Sequence, residues 1–402
     1  MHIGIVNLPS NFHTQKWALA LKNAGAQVTI FSFEDYVYPE VECVKIAPNF
    51  TFRGRENYGS YLFSGKKLYD ALKKHKVDVV NPINITPMGV WAYYSGFRPM
   101  ASVAMGADIL EYPPKMSDSP LLSNRAFTNS EGNKTFLRQM RDRFVYHFYK
   151  SQVKKSLQAS DFITGDNLVL TNAVTDWFGI AKEKVHLNRW GIEEHLFSVS
   201  EARLQALREK FRIKKGRKVV LSPRGVMPIY QGDIILEGFA KMLEKGANDT
   251  HFIMFSAGYH VPEKVAKLAA ELEAKYDNFY FYRGMIPRTE VYEIWSLVDI
   301  FVSAPIYDGY SNALGEGRYI GAIPVVNDIP ATRETIVHQY NGWVTNPFNA
   351  ENLAKDLFTI LEDLEIWKNK FQKVNKEWIL ENSVLEKNIR IFLQQCEELT
   401  KR

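Results

Sequence analysis

Short apolar runs alternate with longer amphipathic stretches along this chain. His2–Asn7 is a largely apolar run and reads as a buried strand. After a polar loop, Trp17, Ala18, Leu21 and Ala24 recur at helical spacing, Gly25 stops the stretch, and a second apolar run follows at Val28–Phe33. Strand, loop, helix, strand is the repeating unit of a parallel sheet, whose strands are covered on both faces and so tolerate unbroken apolar runs. Asp78–Asn81 and Met100–Ala104 read as further strands, with helical segments near Ser64–Lys74 and Gly89–Tyr94. Pro113–Asn133 is rich in Pro, Ser, Asn and Gly and predicts an exposed loop. A helix over Lys134–Gln158, a strand at Phe162–Gly165 and a helix near Leu168–Phe178 complete the first half.

A second series begins at Lys218. Strands are expected at Val219–Ser222, His251–Ser256, Phe279–Tyr282, Ile300–Ser303 and Ile323–Asn327. Helices are expected between them at Asp233–Glu244, Pro262–Lys275, Thr289–Leu297 and Ser311–Gly321. The boundary between the two series falls near residues 192–216, and a long helical stretch runs from about Ala350 to Arg402. The fold class is therefore α/β, with two Rossmann-like domains facing a cleft. Ligands of open parallel sheets bind beyond the carboxyl ends of the strands, so the chemistry belongs in the loops after them.

Composition narrows the function. The 402 residues are 46% hydrophobic and 24% charged, which excludes a disordered or collagen-like chain. A net charge of +5 falls short of a dedicated nucleic-acid binder and suits phosphate-bearing substrates or an anionic membrane surface. The two cysteines, Cys43 and Cys396, form no zinc or disulfide pattern and fit a reducing compartment. MHIGIVNLPSNF lacks the basic start and apolar core of a signal peptide, and no apolar run reaches the ~18 residues of a membrane span. The expectation is a cytoplasmic protein.

The most informative segment is SAPIYDGYSNALGEGRYIGAIPVVND, residues 303–328, which reads strand, loop, helix, Gly, strand. Ser311 and Asn312 are good N-cap residues, so the helix starts there and its first N–H groups point back into the loop. Gly309, Tyr310, Ser311, Asn312 and Ala313 thereby make a candidate diphosphate site. Glu316, about one turn into the helix, can accept two hydrogen bonds from the vicinal hydroxyls of a ribose. Asp308, before the helix, would face the transferred sugar. The plainer alternative makes Asp308 an ordinary turn residue and Glu316 a solvated helix residue.

Residues 218–345 resemble the C-terminal domain of the GT-B retaining glycosyltransferases of family 4. The family pattern of two carboxylates with seven residues between them, a helix, Gly and Pro-Val-Val corresponds to Asp308, Glu316, Gly321 and Pro324-Val325-Val326. Glu334, Gly342, Gly284 and Asp299 also match, and Gly191, Ile192, Glu193 and Phe197 are similar to the interdomain element. The resemblance implies domains over 1–192 and 193–375, the first for acceptor and the second for nucleotide-sugar, with a helix over 376–402 returning to the first. It implies transfer from a nucleoside diphosphate sugar to an acceptor hydroxyl with retention, no metal and no cofactor, and the departing phosphate assisting deprotonation. UDP is the expected nucleotide, because UDP-sugars are the commoner donors of the family.

Three departures from the pattern stand out. Asp308 replaces the first Glu. Arg224 matches the family's phosphate-binding arginine, which otherwise reads as a surface salt bridge, but Gln231 stands where a phosphate-binding lysine precedes Gly232. Arg318 and Arg283 are candidates to supply the missing charge. Met105 stands where the family has His, with Gly106 and Asp108 following. Asp108 either bonds a sugar hydroxyl or caps a helix, and His13 in the first loop either contacts acceptor or phosphate or is structural. The catalytic candidates are thus Asp308, Asp108 and His13. The donor-binding candidates are Arg224, Gln231, Gly309, Tyr310, Ser311, Asn312, Ala313 and Glu316.

Residues 134–155 read KTFLRQMRDRFVYHFYKSQVKK, basic with interleaved aromatics. Such a helix either lies on an anionic membrane, suiting a lipid-linked acceptor at the inner face, or buries its aromatics in the domain core. No nucleic-acid motif accompanies it. Two functions remain, an active glycosyltransferase of surface-polysaccharide or lipid-linked glycan assembly and a catalytically impaired sugar-nucleotide-binding or scaffold protein on the same fold. Gln231 and Met105 favour the second, and the intact Arg224, Asp308-Gly309 and Glu316 argue against it. Nothing in the sequence supports an epimerase or a phosphorylase.

Overall fold

A computed structural model of the protein describes residues 1–52, 55–120 and 136–401. The chain divides into two units, Met1–Trp190 with Leu385–Arg402, and Gly191–Val384. In the first, β1 (His2–Val6), β2 (Gln27–Ser32), β3 (Glu42–Lys45) and β4 (Val79–Pro82) form a parallel sheet in the order β3-β2-β1-β4. A second parallel sheet, β5 (Ala101–Ala104), β6 (Phe162–Gly165) and β7 (Val185–Leu187), is joined to it by parallel bridges Val80–Met100 and Ile83–Val103. β1, β4, β5 and β6 are buried at every position, as apolar strands covered on both faces should be. Among their buried polar residues, Asn81 accepts from Trp17 Nε1 at 2.9 Å and donates to the Ala101 carbonyl at 2.6 Å. A buried amide with both ends satisfied ties the helix and two strands together.

In the second unit β8 (Lys218–Ser222), β9 (Thr250–Phe255), β10 (Phe279–Tyr282), β11 (Ile300–Ser303), β12 (Ile323–Asn327) and β13 (Trp343–Thr345) make one sheet in the order β10-β9-β8-β11-β12-β13. Every pair is parallel. The order turns back between β8 and β11, which opens a crevice at their carboxyl ends. An apolar cluster centred on Phe239, Leu353 and Leu357 and another on Phe211, Tyr292 and Trp295 hold the helices to the sheet.

The expected long helical stretch after residue 350 is three helices, Ala350–Glu362, Leu364–Asn382 and Leu385–Thr400, broken at Asp363 and Ser383. The last belongs to the first unit. It lays Leu385, Ile389, Phe392 and Cys396, at helical spacing, against Trp17 and Phe162. Where the chain leaves and re-enters the second unit, Ile192 N donates to the Ser383 carbonyl at 2.8 Å. β3, β7 and β13 and the helices Tyr58–Phe63 and Glu201–Lys210 are additions to the expected elements. Of the expected loop 113–133, residues 121–133 lie outside the described residues. Among the described residues, no helix is long and apolar enough to cross a membrane.

Candidate functional site

The switch point between β8 and β11 is where the candidate residues meet. Arg224 follows β8 and Asp308 follows β11. Across that crevice the Arg224 guanidinium is ion-paired with the Asp308 carboxylate through Nη1 and Oδ2, with Nη2 at 3.5 Å from Oδ1. Both side chains are mostly buried, 17% and 20% exposed, so the pair is screened less than a surface one. Burial opposes the guanidinium's charge, but the Asp308 charge and Tyr230 outweigh it and raise the Arg224 pKa. The Tyr230 ring lies 4.6 Å from the guanidinium carbon, a cation–π contact that fixes the plane of the fork.

The loop carrying Arg224 ends in a 3-10 turn, Pro228–Tyr230, and Gln231 then takes a left-handed conformation, φ 51°, before the helix Gly232–Glu244. A Cβ on Gly232 would stand 2.5 Å from the Val226 Cα, so only glycine lets the loop fold onto the helix start. Gln231 Nε2 donates to the Ala304 carbonyl at 2.8 Å and so straps this loop to the end of β11. The position that lacks a lysine holds a neutral tie between the two loops.

The helix Asn312–Ile320 opens at Ser311, whose hydroxyl accepts from Leu314 N at 3.4 Å. Asn312 Oδ1 is buried there and meets no donor among the described residues. A Cβ at Gly317 would come within 2.4 Å of the Phe301 ring, so this helix lies tight on β11. Glu316 is 4% exposed and accepts from Trp295 Nε1 at 3.0 Å, which corrects the solvated-residue alternative. Beside it Tyr292 donates to Glu193 Oε2 at 3.0 Å, and Arg288 pairs with the same Glu193. Burial, then the Glu316 charge, push the Tyr292 phenol pKa up. Tyr310, 6% exposed, packs its hydroxyl at Gly315 and its ring 6.0 Å from Trp378. A small cavity is bounded by Ser303, Asp308, Gly309, Ser311, Val326 and Thr332. A larger one, about 760 Å³, lies at the amino ends of the strands beside Lys218, Trp295, Asp299 and Gly321, with none of Arg224, Asp308 and Glu316 in its lining.

The two candidate charge suppliers are engaged elsewhere in the structure. Arg318 is fully buried, bonded through Nε to Asn375 at 2.9 Å and stacked 4.5 Å from Trp378. Arg283 is held by Glu273 at 2.7 Å. Asp299 accepts from Val219 N and from Lys368, both at 2.8 Å, a structural role at the amino ends of β8 and β11.

The other two catalytic candidates belong to the first unit. Asp108 is buried, its Oδ1 accepting from Met105 N (3.0 Å) and Gly106 N (2.9 Å) and its Oδ2 from Ile85 N (2.6 Å). Burial lifts its carboxyl to about 6 against these main-chain donors. It braces the loops after β4 and β5, which favours the structural of its two expected roles over the sugar contact. His13 sits in the first turn of the helix Phe12–Asn23, edge-on to Trp190 at 5.6 Å. Sequence reasoning missed Trp295 and Tyr230. Tyr230 adjoins Gln231, a signal that was available, whereas nothing local marks Trp295, 21 residues before Glu316.

Two units built on parallel sheets, the second with its polar groups gathered at a switch point, are the architecture of the GT-B fold. Sequence models agree, with "Glycosyl transferases group 1" matching residues 205–378 and "Glycosyl transferase 4-like" matching residues 3–131. The chain belongs to the group 1 glycosyltransferases and is a transferase that takes its sugar from a nucleotide-sugar. Among solved structures it is similar to a glycosyltransferase from Rickettsia africae, 18% identical, TM-score 0.71, covering 100% of this chain and 99% of that one. WaaG, a glycosyltransferase involved in lipopolysaccharide biosynthesis, is 16% identical with TM-score 0.71 and 100% coverage of both chains. Anabaena Alr3699/HepE in complex with UDP-glucose is 12% identical, TM-score 0.72, covering 99% and 100%. No curated protein matches the sequence.

Proposed function

We propose that the protein transfers a sugar, with retention, from UDP-sugar to an acceptor hydroxyl in the assembly of a surface polysaccharide or lipid-linked glycan, working in the cytoplasm and without a metal. The observation that carries the reading is the ion pair of Arg224 and Asp308 at the β8–β11 switch point, beside the helix that begins at Ser311. Arg224 clamps the diphosphate, with the N–H groups from Ser311 to Ala313 at its other side. Glu316, steadied by Trp295, receives the ribose hydroxyls, and Asp308 orients the transferred sugar. The anomeric carbon–oxygen bond breaks toward the phosphate, the acceptor oxygen bonds that carbon on the same face, and its proton passes to the departing phosphate. The protein contributes positioning and stabilisation of the leaving charge. The UDP-glucose in the structure of Anabaena HepE supports the choice of nucleotide.

The test is a thermal-shift screen with UDP, GDP, ADP and their sugar conjugates, with Glu316→Ala alongside. One diphosphate is expected to raise the melting temperature of the wild type and not of the variant, because a ligand of the folded state stabilises it by mass action. No shift with any nucleotide would move the scaffold reading ahead, with the neutral Gln231 strap as its physical basis.

A further inference from the structure

Large apolar side chains stand in water along the helix Phe136–Ala159 of the first unit. Met140 is 55% and Phe144 71% exposed, whereas Tyr146 is 3% exposed and donates its hydroxyl to the Pro113 carbonyl. At ~100° per residue Met140, Phe144 and Phe148 form one stripe, with Arg143 and His147 on one flank and Arg141 on the other. Phe144 and Phe148 stack at 6.3 Å. The stripe continues onto a second element. Phe148 meets the Tyr58 ring at 6.0 Å, the neighbouring Gly59 packs on Phe50, and Phe50 meets Phe63 at 6.3 Å. Phe63 is 67% exposed and Phe52 61%. A contiguous apolar surface of this kind marks an interaction site.

The charges choose the partner. From Met140 to Ala159 the helix has five Lys or Arg residues and one acid, Asp142. Asp142 pairs with Arg141 at 2.8 Å and, at 20% exposed, lies away from the stripe. A second copy packed symmetrically on this face would bring Arg141 and Arg143 near their own images, which like charges disfavour. An anionic lipid surface offers apolar depth for the phenyl rings and opposite charge for the flanks.

We propose that this face, built by Met140, Phe144 and Phe148 with Phe50 and Phe63, docks the protein on an anionic bilayer; the proposal rests on the lipid-linked acceptor of the reading above. The test is flotation of the full chain with vesicles of phosphatidylglycerol and phosphatidylcholine, or of phosphatidylcholine alone. The wild type is expected to float with the anionic vesicles, less so at high salt, and to stay behind with the neutral ones. Phe63→Ser with Phe144→Ser is expected to lower the bound fraction about tenfold. Phe144→Ser alone lowers it measurably, and Arg143→Glu lowers it on anionic vesicles. The nucleotide-induced thermal shift of these variants should equal that of the wild type, so loss of folding is seen apart from loss of docking. Equal flotation of wild type and double variant, or no flotation of the wild type, overturns the proposal. So does concentration-dependent dimerisation that Phe144→Ser abolishes. The transferase reading fails separately, by the absence of any nucleotide shift.

Discussion

Asp308 holds the guanidinium that is proposed to hold the donor's diphosphate, so Asp308→Asn should separate binding from turnover. In the structure the Asp308 carboxylate takes up Nη1 and approaches Nη2 of Arg224. A phosphate bonded to the same fork would lie about 6 Å from that carboxylate, and two unit charges at that distance repel by about 2 kcal/mol at an effective dielectric of roughly 20–40. Asparagine keeps the shape and a hydrogen-bond acceptor for Arg224 while removing the repulsion. The affinity for the nucleoside diphosphate should therefore rise about tenfold or more, since each ~1.4 kcal/mol is tenfold. Turnover should fall by about a hundredfold as the sugar loses a charged acceptor that orients it. Losing the ion pair itself should cost about 1–2 kcal/mol of stability, because the partly buried Arg224 keeps a neutral partner. Titration calorimetry with the shifting diphosphate gives the first quantity, and release of sugar from the donor gives the second. A variant that folds but binds the diphosphate no better than the wild type would refute the reasoning. The pair would then be a structural clasp outside the phosphate site.

Two further perturbations probe the same unit. Gln231→Lys should strengthen diphosphate binding about tenfold by adding a charge-assisted contact, and leave binding of the free nucleoside unchanged; equal diphosphate affinity would show that position 231 does not face the phosphates. His251, fully buried in β9, has its pKa lowered by burial from 6.5 to about 4. The folded state thus prefers the neutral ring, so its contribution is whole above pH 6.5 and is lost as pH falls toward 4, about 2 kcal/mol by pH 5. His251→Gln should flatten the loss of urea midpoint between pH 7 and pH 5, and an unchanged slope would assign the acid sensitivity to other groups.

The elements legible in the sequence are those that burial writes as continuous apolar runs. β6, β10 and β11 begin and end at the expected residues, and β12 does too. β3 and β7 were not legible because they are short and only half-buried, with polar and apolar residues mixed. The breaks at Asp363 and Ser383 escaped because no glycine or proline marks them; helical periodicity runs through, and tertiary packing alone sends the last helix to a different unit. In the site, residue types and spacing pointed to Asp308 and Glu316, and the family resemblance singled them out together with Arg224. Their pairing was not legible. Arg224 and Asp308 are 84 positions apart and meet only because β8 and β11 are neighbours.

The contrast between Asp108 and Asp308 shows what the sequence withholds. Each is an aspartate a few residues past a buried strand, beside a glycine or one residue from it. Three main-chain N–H groups from two loops hold the buried Asp108, so little of its carboxylate is open to a ligand. Asp308 is held by one side chain and by the N–H of its own neighbour, Gly309 at 3.0 Å. A phosphate can take over the guanidinium, so that Arg224 exchanges one anionic partner for another, while Asp308 keeps the Gly309 N–H and is released toward a sugar hydroxyl at the cost of the repulsion estimated above. Only the second kind of carboxylate can respond to a donor, and what distinguishes it is the source of its hydrogen bonds rather than its place in a motif.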